Sequence, residues 1–464
     1  MKKPPVVVIG AGMGGLTAAI RLAQRGLAVQ VIEANPHAGG LAAPLRFEGL
    51  RFDAGPYILL DRPGLEWAFQ RLGLELSKLV PLQRIEHIYA VETAAGPSVV
   101  FYADAQQTAD GMERHWPGSA RRYLRFVAAM RQAHARLQPL LYQSRPGLGS
   151  LLASGGWRDL FFLSRSLASV LRSTRLAEPV VQAIAIWTHV AGQTLSTAPS
   201  PLAFVPALLH DPGAFYPVAG IGTLVDVLRD AARAAGVELR YGTAVKTIRT
   251  QAGAVTGVEL AHGEFIAATT VLSNAHGIGT YLDLLRDTPD TVRAQLQRLP
   301  LQSPGICAYL AVKTTALAAP YLRFRLPDDG GSCRLLVMPS PAIHADWSPA
   351  RLIVPMRHAH AQQLNATEQR AYAEDLLAEP WWRAHLDEAR VLHVRTPSDW
   401  GAAAHLHRDS MNPVMTASFM RAGRLAHRSP QVAGLHLAGS STHPGQWLSF
   451  AAISGILAAD QIPC

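Results

Sequence analysis

The glycines between Ile9 and Leu16 restrict the fold of this chain more than any other feature. Val6 to Ile9 is an unbroken apolar run, the pattern of a strand buried on both faces of a parallel sheet. Gly10-Ala-Gly12-Met13-Gly14-Gly15 then turns directly into helical periodicity through Ala18, Ala19, Leu22 and Ala23, stopping at Gly26. This is G-x-G-x-x-G between a strand and a helix. Gly10 permits the tight turn, Gly12 lets the backbone approach a pyrophosphate, and Gly15 lets the helix pack close to the strand with its free N–H groups toward the phosphates. A second strand, Ala28 to Ile32, ends in Glu33, whose carboxylate can accept hydrogen bonds from ribose hydroxyls. Strand, turn, helix, second strand and acid in register argue for a dinucleotide site rather than a bare glycine-rich turn.

At 464 residues, half of them apolar and 17% charged, the chain is globular and long enough for two or three domains. Lys plus Arg (43) exceed Asp plus Glu (34) by nine, an excess suited to anionic lipid or an acidic ligand. No basic run interleaved with aromatics suggests nucleic acid. Cys307, Cys333 and Cys464 are odd in number and far apart, which fits a reducing compartment and excludes a disulfide framework or a cysteine zinc site. Lys2 and Lys3 before an apolar segment mimic a signal peptide, but that segment is already the glycine-punctuated turn. No apolar stretch is long enough to span a bilayer. The expected location is cytoplasmic, peripheral on the inner face of the membrane.

Along the chain, Gly39-Gly40 follows Glu33 closely, and Phe52-Asp53-Ala54-Gly55-Pro56 is a β-type approach to a rigid turn. The order VIGAGMGGL, VIEANPHAGGL, RFDAGPYIL resembles the flavoproteins of the phytoene-desaturase (carotenoid-desaturase) type, within the amine-oxidase-like group. The later segments are similar too: P-x-x-G before a helix at Pro217, then a strand near Val245, then Val271-Leu-Ser-Asn-Ala275, then Thr396-Pro-Ser-Asp-Trp400. The last segment, Gly439-Ser440-Ser-Thr-His443-Pro-Gly445 and the helix after it, matches the family's closing motif without a gap.

The resemblance implies an α/β fold: a discontinuous Rossmann-type FAD-binding domain from residues 1–80, 217–300 and 432–464, interleaved with an α+β substrate domain from 81–216 and 301–431. It implies FAD on the glycine turn, contacted by Gly10, Gly12, Met13, Gly14, Gly15, Glu33, Ala34, Gly39, Gly40, Leu41, Gly55, Pro56 and Tyr57. By the same resemblance Val245 lies against the adenine end, Ser273 by the adenosine half, and Gly439, Ser440, Trp447 and Leu448 by the flavin. Two departures stand out. Many members carry Arg or Lys where this chain has Leu41, so a basic contact to the cofactor is missing or supplied elsewhere. After H-P-G the family usually shows x-Gly-Val/Ile-Pro, and here Gln446, Trp447, Leu448 and Ser449 stand instead. An indole at that place narrows the cavity or gives it a stacking wall.

The implied activity is desaturation of an apolar polyene by hydride transfer to flavin N5, the helix opening near Leu448 stabilising the charge left at N1. Reduction, isomerisation or cyclisation of a polyene polyketide or macrocycle is the alternative within enzymes, and a non-catalytic flavoprotein at a membrane surface the alternative outside them. Hydride transfer needs no catalytic triad. A base for the second proton is sought in the flavin loop, where His443 is the candidate, equally readable as a structural histidine. His358, His360, His405 and His407 form two i, i+2 pairs without a carboxylate or cysteine at ligand spacing, so no metal is expected. Trp157 to Arg175 is predicted as one helix, with an apolar stripe beside Arg158, Arg165 and Arg172. Such a helix suits either a cap packed on the core or an anionic membrane interface. Glu33→Ala is expected to lower the FAD content of the purified protein; an unchanged ratio of flavin to protein would count against the ribose contact.

Overall fold

The computed structural model describes residues 4–93, 96–313, 320–326, 331–339, 346–422 and 424–463; Lys2, Lys3 and Cys464 lie outside them. The strand Val6–Ile9 (β1) is followed by the helix Met13–Gln24 (α1) and the strand Val29–Ile32 (β2), and all eight strand residues are buried. A five-stranded parallel sheet forms in the order Leu435–Leu437, Val271–Ser273, β1, β2, Glu238–Arg240. Three separated stretches of chain therefore build one sheet, and the glycine turn leaves it at the carboxyl end of a central strand, where open α/β sheets bind ligands.

The C-terminal helix Leu448–Asp460 lies against α1. A Cβ on Gly455 would stand 2.1 Å from the Gly14 carbonyl oxygen and 2.2 Å from Thr17 Oγ1, so only glycine fits. The Thr17 hydroxyl uses that closeness to donate to the Ala452 carbonyl at 2.9 Å.

A seven-stranded mixed sheet forms the second layer, in the order Glu388–Arg395, Ile306–Lys313, Ser348–Val354, Arg334–Val337, Leu322–Arg325, His87–Glu92, Val99–Tyr102. Its strands pair antiparallel except Leu322–Arg325 with His87–Glu92. Arg351, buried on this sheet, reaches across to the Asp53–Pro56 turn. Its guanidinium donates to the carbonyls of Asp53, Ala54, Gly55 and Pro56 at 2.9–3.2 Å. Asp53 in turn accepts from the Tyr216 hydroxyl at 2.6 Å and the Gly222 amide at 3.1 Å. The turn thus ties the second layer to the strand Phe215–Pro217 and to the start of the helix Gly222–Ala234.

The helix expected over Trp157 to Arg175 is broken. A 3-10 turn at Gly156–Asp159 and a short helix at Leu160–Leu163 are separated from Leu167–Thr174 by an extended segment. Ser166 pairs there with Pro199, the Leu167 amide donates to the Ala198 carbonyl at 2.9 Å, and Ser166 caps the following helix. Tertiary bonding to a distant loop overrides the helical period. Gly455→Ala is expected to destabilise the fold by about 1–3 kcal/mol, the usual cost of overpacking a close contact, read as a lowered thermal midpoint; parent-like stability would show that the helix pair tolerates wider spacing.

Candidate active site

One cavity of about 1150 Å³ runs from the glycine turn into the second layer. Pockets for a single drug-sized ligand hold roughly 300–1,000 Å³, so this one has room for a dinucleotide with a further molecule beside it. At one end Glu33 is already positioned by backbone: Oε2 accepts from the Ala11 amide at 2.7 Å and Oε1 from the Asn35 amide at 2.9 Å. Each oxygen keeps a lone pair for a hydroxyl. Ala34, Asn35, Ala244 and Val245 complete that end. The glycine turn comes next, with the Gly39 amide bonded to the Ala11 carbonyl at 2.9 Å so that the Gly39-Gly40 loop lies alongside. Gly39 has φ 125°, a conformation side chains disfavour.

Gly10, Gly12, Met13, Gly14, Glu33, Ala34, Gly39, Gly40, Leu41, Gly55, Pro56, Tyr57, Val245, Gly439, Ser440, His443, Trp447 and Leu448 all line this cavity. Two expected residues do not. Gly15 sits beneath the turn, where a Cβ would stand 2.0 Å from the Gly10 carbonyl oxygen, so it shapes the turn rather than the wall. Ser273 is fully buried and shares a 2.7 Å hydrogen bond with the Thr280 hydroxyl. The wall residue is its neighbour Asn274, because side chains alternate across a strand and its end. The Asn274 amide lies so close to the turn that a Cβ on Gly12, Gly14 or Gly439 would stand 2.5–2.8 Å from it. Of the V-L-S-N-A motif, Asn274 and Ala275 line the cavity and Ser273 does not. Arg351 was missed, having no local signal on its strand.

At the far end the loop from Gly439 to Trp447 leads into the C-terminal helix, whose first amides have no acceptor within the helix. Trp447 stacks on Phe450 with ring centroids 5.1 Å apart, making the expected aromatic wall. His443 Nε2 donates to the Leu140 carbonyl at 2.9 Å, and burial, with the charge of Arg424 nearby, pushes its imidazole down to about 4. Asp61 is buried on the cavity wall. Its carboxyl accepts from the Ser449 hydroxyl at 2.8 Å and the Gly64 amide at 3.1 Å, and burial raises its pKa. Beyond these groups Leu137, Leu140, Leu163, Phe204, Leu208 and Met415 supply apolar wall, with His134, Gln138, Gln193, Gln302, Asn412 and Arg424 among the polar side chains between them.

The match to the family model for "Flavin containing amine oxidoreductase" extends over residues 13–463. The chain belongs to this family. Its cofactor is FAD, and the residues present fit it: a pre-bonded acid for a ribose, a turn that added Cβ atoms would fill, and a helix opening at the cavity's far end. Among its relatives, the zeta-carotene-forming phytoene desaturase of Myxococcus xanthus is 28% identical over 490 aligned positions, spanning 98% of this chain and 93% of that one. The 4,4'-diapolycopene oxygenase of a Methylomonas species is 26% identical, spanning 98% and 97%. Of solved structures, putrescine oxidase bound to putrescine superposes with TM-score 0.66 at 17% identity, covering 99% of each chain. The fatty acid isomerase of P. acnes that produces CLA gives 0.66 at 12%, covering 100% of this chain and 99% of that one.

The paired histidines are distributed over separate interactions. His407 shares a 2.6 Å contact with Asp283, and His358 Nε2 donates to the Arg408 carbonyl at 2.7 Å. Among the described residues no three metal-ligating side chains converge. Burial also depresses His276 to about 3, and His427 and His436 to about 4. A histidine whose folded pKa lies below its unfolded one binds protons more readily unfolded, so stability present above about pH 6.5 is lost as pH falls toward 4. Each such imidazole contributes about 1.4 kcal/mol per pH unit of its shift. The thermal midpoint of this amine oxidoreductase is expected to drop steeply between pH 6.5 and 4; a flat profile would show that these imidazoles are protonated in the fold.

Proposed function

We propose that this flavin amine oxidoreductase desaturates a long apolar polyene of the isoprenoid class. The carrying observation is the cavity itself, continuous from the dinucleotide cleft into a chamber walled by leucine, phenylalanine and methionine. Asp61, the carboxyl on this wall, is already bonded by the Ser449 hydroxyl and the Gly64 amide, and the leucine, phenylalanine and methionine side chains around the chamber suit a hydrocarbon. The relatives named for phytoene and diapolycopene point the same way. Bound FAD supplies the hydride acceptor.

The chain's own residues orient the substrate and manage charge. The apolar walls exclude water from the hydride donor carbon. The amides at the start of Leu448–Asp460, without acceptors in the helix, would stabilise negative charge on FAD bound at that end of the cavity. Removing a C–H pair also releases a proton. His443, neutral and with Nε2 committed to Leu140, keeps the Nδ1 lone pair for it; Asp61, raised by burial, is the carboxyl that shares this wall. The Trp447–Phe450 stack favours a bent or shortened polyene over a fully straight one.

We further propose that the substrate enters from an anionic membrane. Leu148, Leu152, Trp157, Leu160 and Phe161 are large apolar side chains 50–76% exposed, and Arg145, Pro146 and Leu163 of the same region line the cavity. Arg158 lies over the Trp157 ring and Arg165 over Phe161, at 5.4 and 5.5 Å. Exposed Arg158 and Arg172 remain for lipid phosphates, while Arg165 also bonds the side chain and carbonyl of Ser169. No described helix is long and apolar enough to cross a membrane.

Anaerobic addition of an isoprenoid polyene is expected to bleach the bound flavin, and amines to leave it oxidised. A flavin unmoved by every polyene tried would favour the non-catalytic role. Trp157→Ser combined with Phe161→Ser is expected to reduce sedimentation with phosphatidylglycerol vesicles about tenfold or more, two interfacial aromatics being worth over 1.4 kcal/mol; parent-like sedimentation would remove the membrane proposal.

A further inference from the structure

Arg424 is a charge inside the cavity without a partner. Its neighbour Leu425 is bridged to Thr442, which holds the guanidinium against the His443-Pro444-Gly445 loop; Nη2 is 3.1 Å from where a Cβ on Gly445 would stand. Nε is buried with no hydrogen-bond partner, and among the described residues nothing else accepts from this guanidinium. Burial pulls its pKa down to about 10. The contrast is Arg351, more deeply buried and saturated by four carbonyls. A buried cation left uncompensated is costly unless an anion arrives.

Among the described residues no carboxylate pairs with it; Asp61, on the same wall, is bonded instead by Ser449 and Gly64. His443 and His427 are neutral, and Arg145 at the rim adds positive charge. The start of Leu448–Asp460, three residues beyond Gly445, is itself a positive end. Two positive elements therefore converge on the part of the cavity farthest from Glu33. Leu41, where a basic contact to the cofactor was expected, lines the same cavity and carries no charge.

We propose that Arg424 is the cofactor's missing basic contact: it holds the negative charge of reduced FAD and so raises the flavin's reduction potential. Hydride transfer brings two electrons and one proton to N5 and leaves one negative charge on the N1 and C2 carbonyl edge, which the guanidinium balances. The inference rests on FAD being the cofactor and is independent of which polyene is oxidised.

The test uses FAD-loaded protein without substrate. Sulfite adds to flavin N5 and leaves the same charge at N1. Arg424→Met is expected to weaken sulfite binding about tenfold or more, the worth of one charge-assisted hydrogen bond, and to move the midpoint potential to a more negative value. Arg424→Lys is expected to recover most of both. Parent-like sulfite affinity and potential in a flavin-loaded Arg424→Met protein would overturn the proposal. If that variant loses FAD, the parent decides: N1 of its reduced flavin must stay deprotonated well below the pH at which free reduced FAD takes up that proton, and protonation at the free-flavin pH would equally overturn it.

Discussion

The close contact between α1 and the C-terminal helix is the constraint on which the site depends. Glycine at 14 and 455 lets two helices approach until the Thr17 hydroxyl bonds a carbonyl of the partner. That spacing sets where the C-terminal helix begins, and its beginning is the far end of the cofactor cavity. A wider separation would carry Trp447 and Leu448 away from the glycine turn. Close packing between residues 435 apart in sequence thus decides the distance between the two ends of the cavity.

A second constraint joins the layers. Arg351 brings a full charge to the Asp53–Pro56 turn and satisfies it with carbonyls rather than a carboxylate. Asp53 completes the joint through Tyr216 and Gly222. The turn is consequently held from the second layer and from the Tyr216–Gly222 segment, which fixes the cavity wall formed by Gly55, Pro56 and Tyr57. Arg424 shows the opposite economy. It is enclosed yet unsatisfied, which is tolerable where a charged ligand completes the site and costly where none does.

The apolar chamber, the exposed Trp157–Phe161 surface and the basic excess belong to one physical problem. Under the membrane proposal, a polyene insoluble in water would pass from lipid to flavin without crossing solvent. Arg145, Pro146 and Leu163 line the cavity within the region that also exposes Leu148, Trp157 and Phe161. The break in the expected helix contributes here. Bonding of Ser166 and Leu167 to the Ala198–Pro199 loop separates the Leu160–Leu163 turn from the helix behind it.

Local pattern was enough for β1, the glycine turn, α1, β2 and Glu33, because each is set by neighbours within a few residues: periodicity, glycine conformation, an acid at a strand end. The closing loop and Trp447 as a wall came instead from the resemblance of the H-P-G segment to the family's closing motif. Tertiary structure alone decided the rest. Asn274 rather than Ser273 lines the cavity because the register of Val271–Ser273 against β1 and Leu435–Leu437 selects which side chain meets the turn. The helix through Ser164 failed because a distant loop offered its backbone better bonds. Arg351 and Arg424 carry no motif; their roles arise from what surrounds them in space, carbonyls for one and an open cavity for the other. Sequence determines conformations that short-range sterics control, whereas burial and charge balance exist only once distant segments have met.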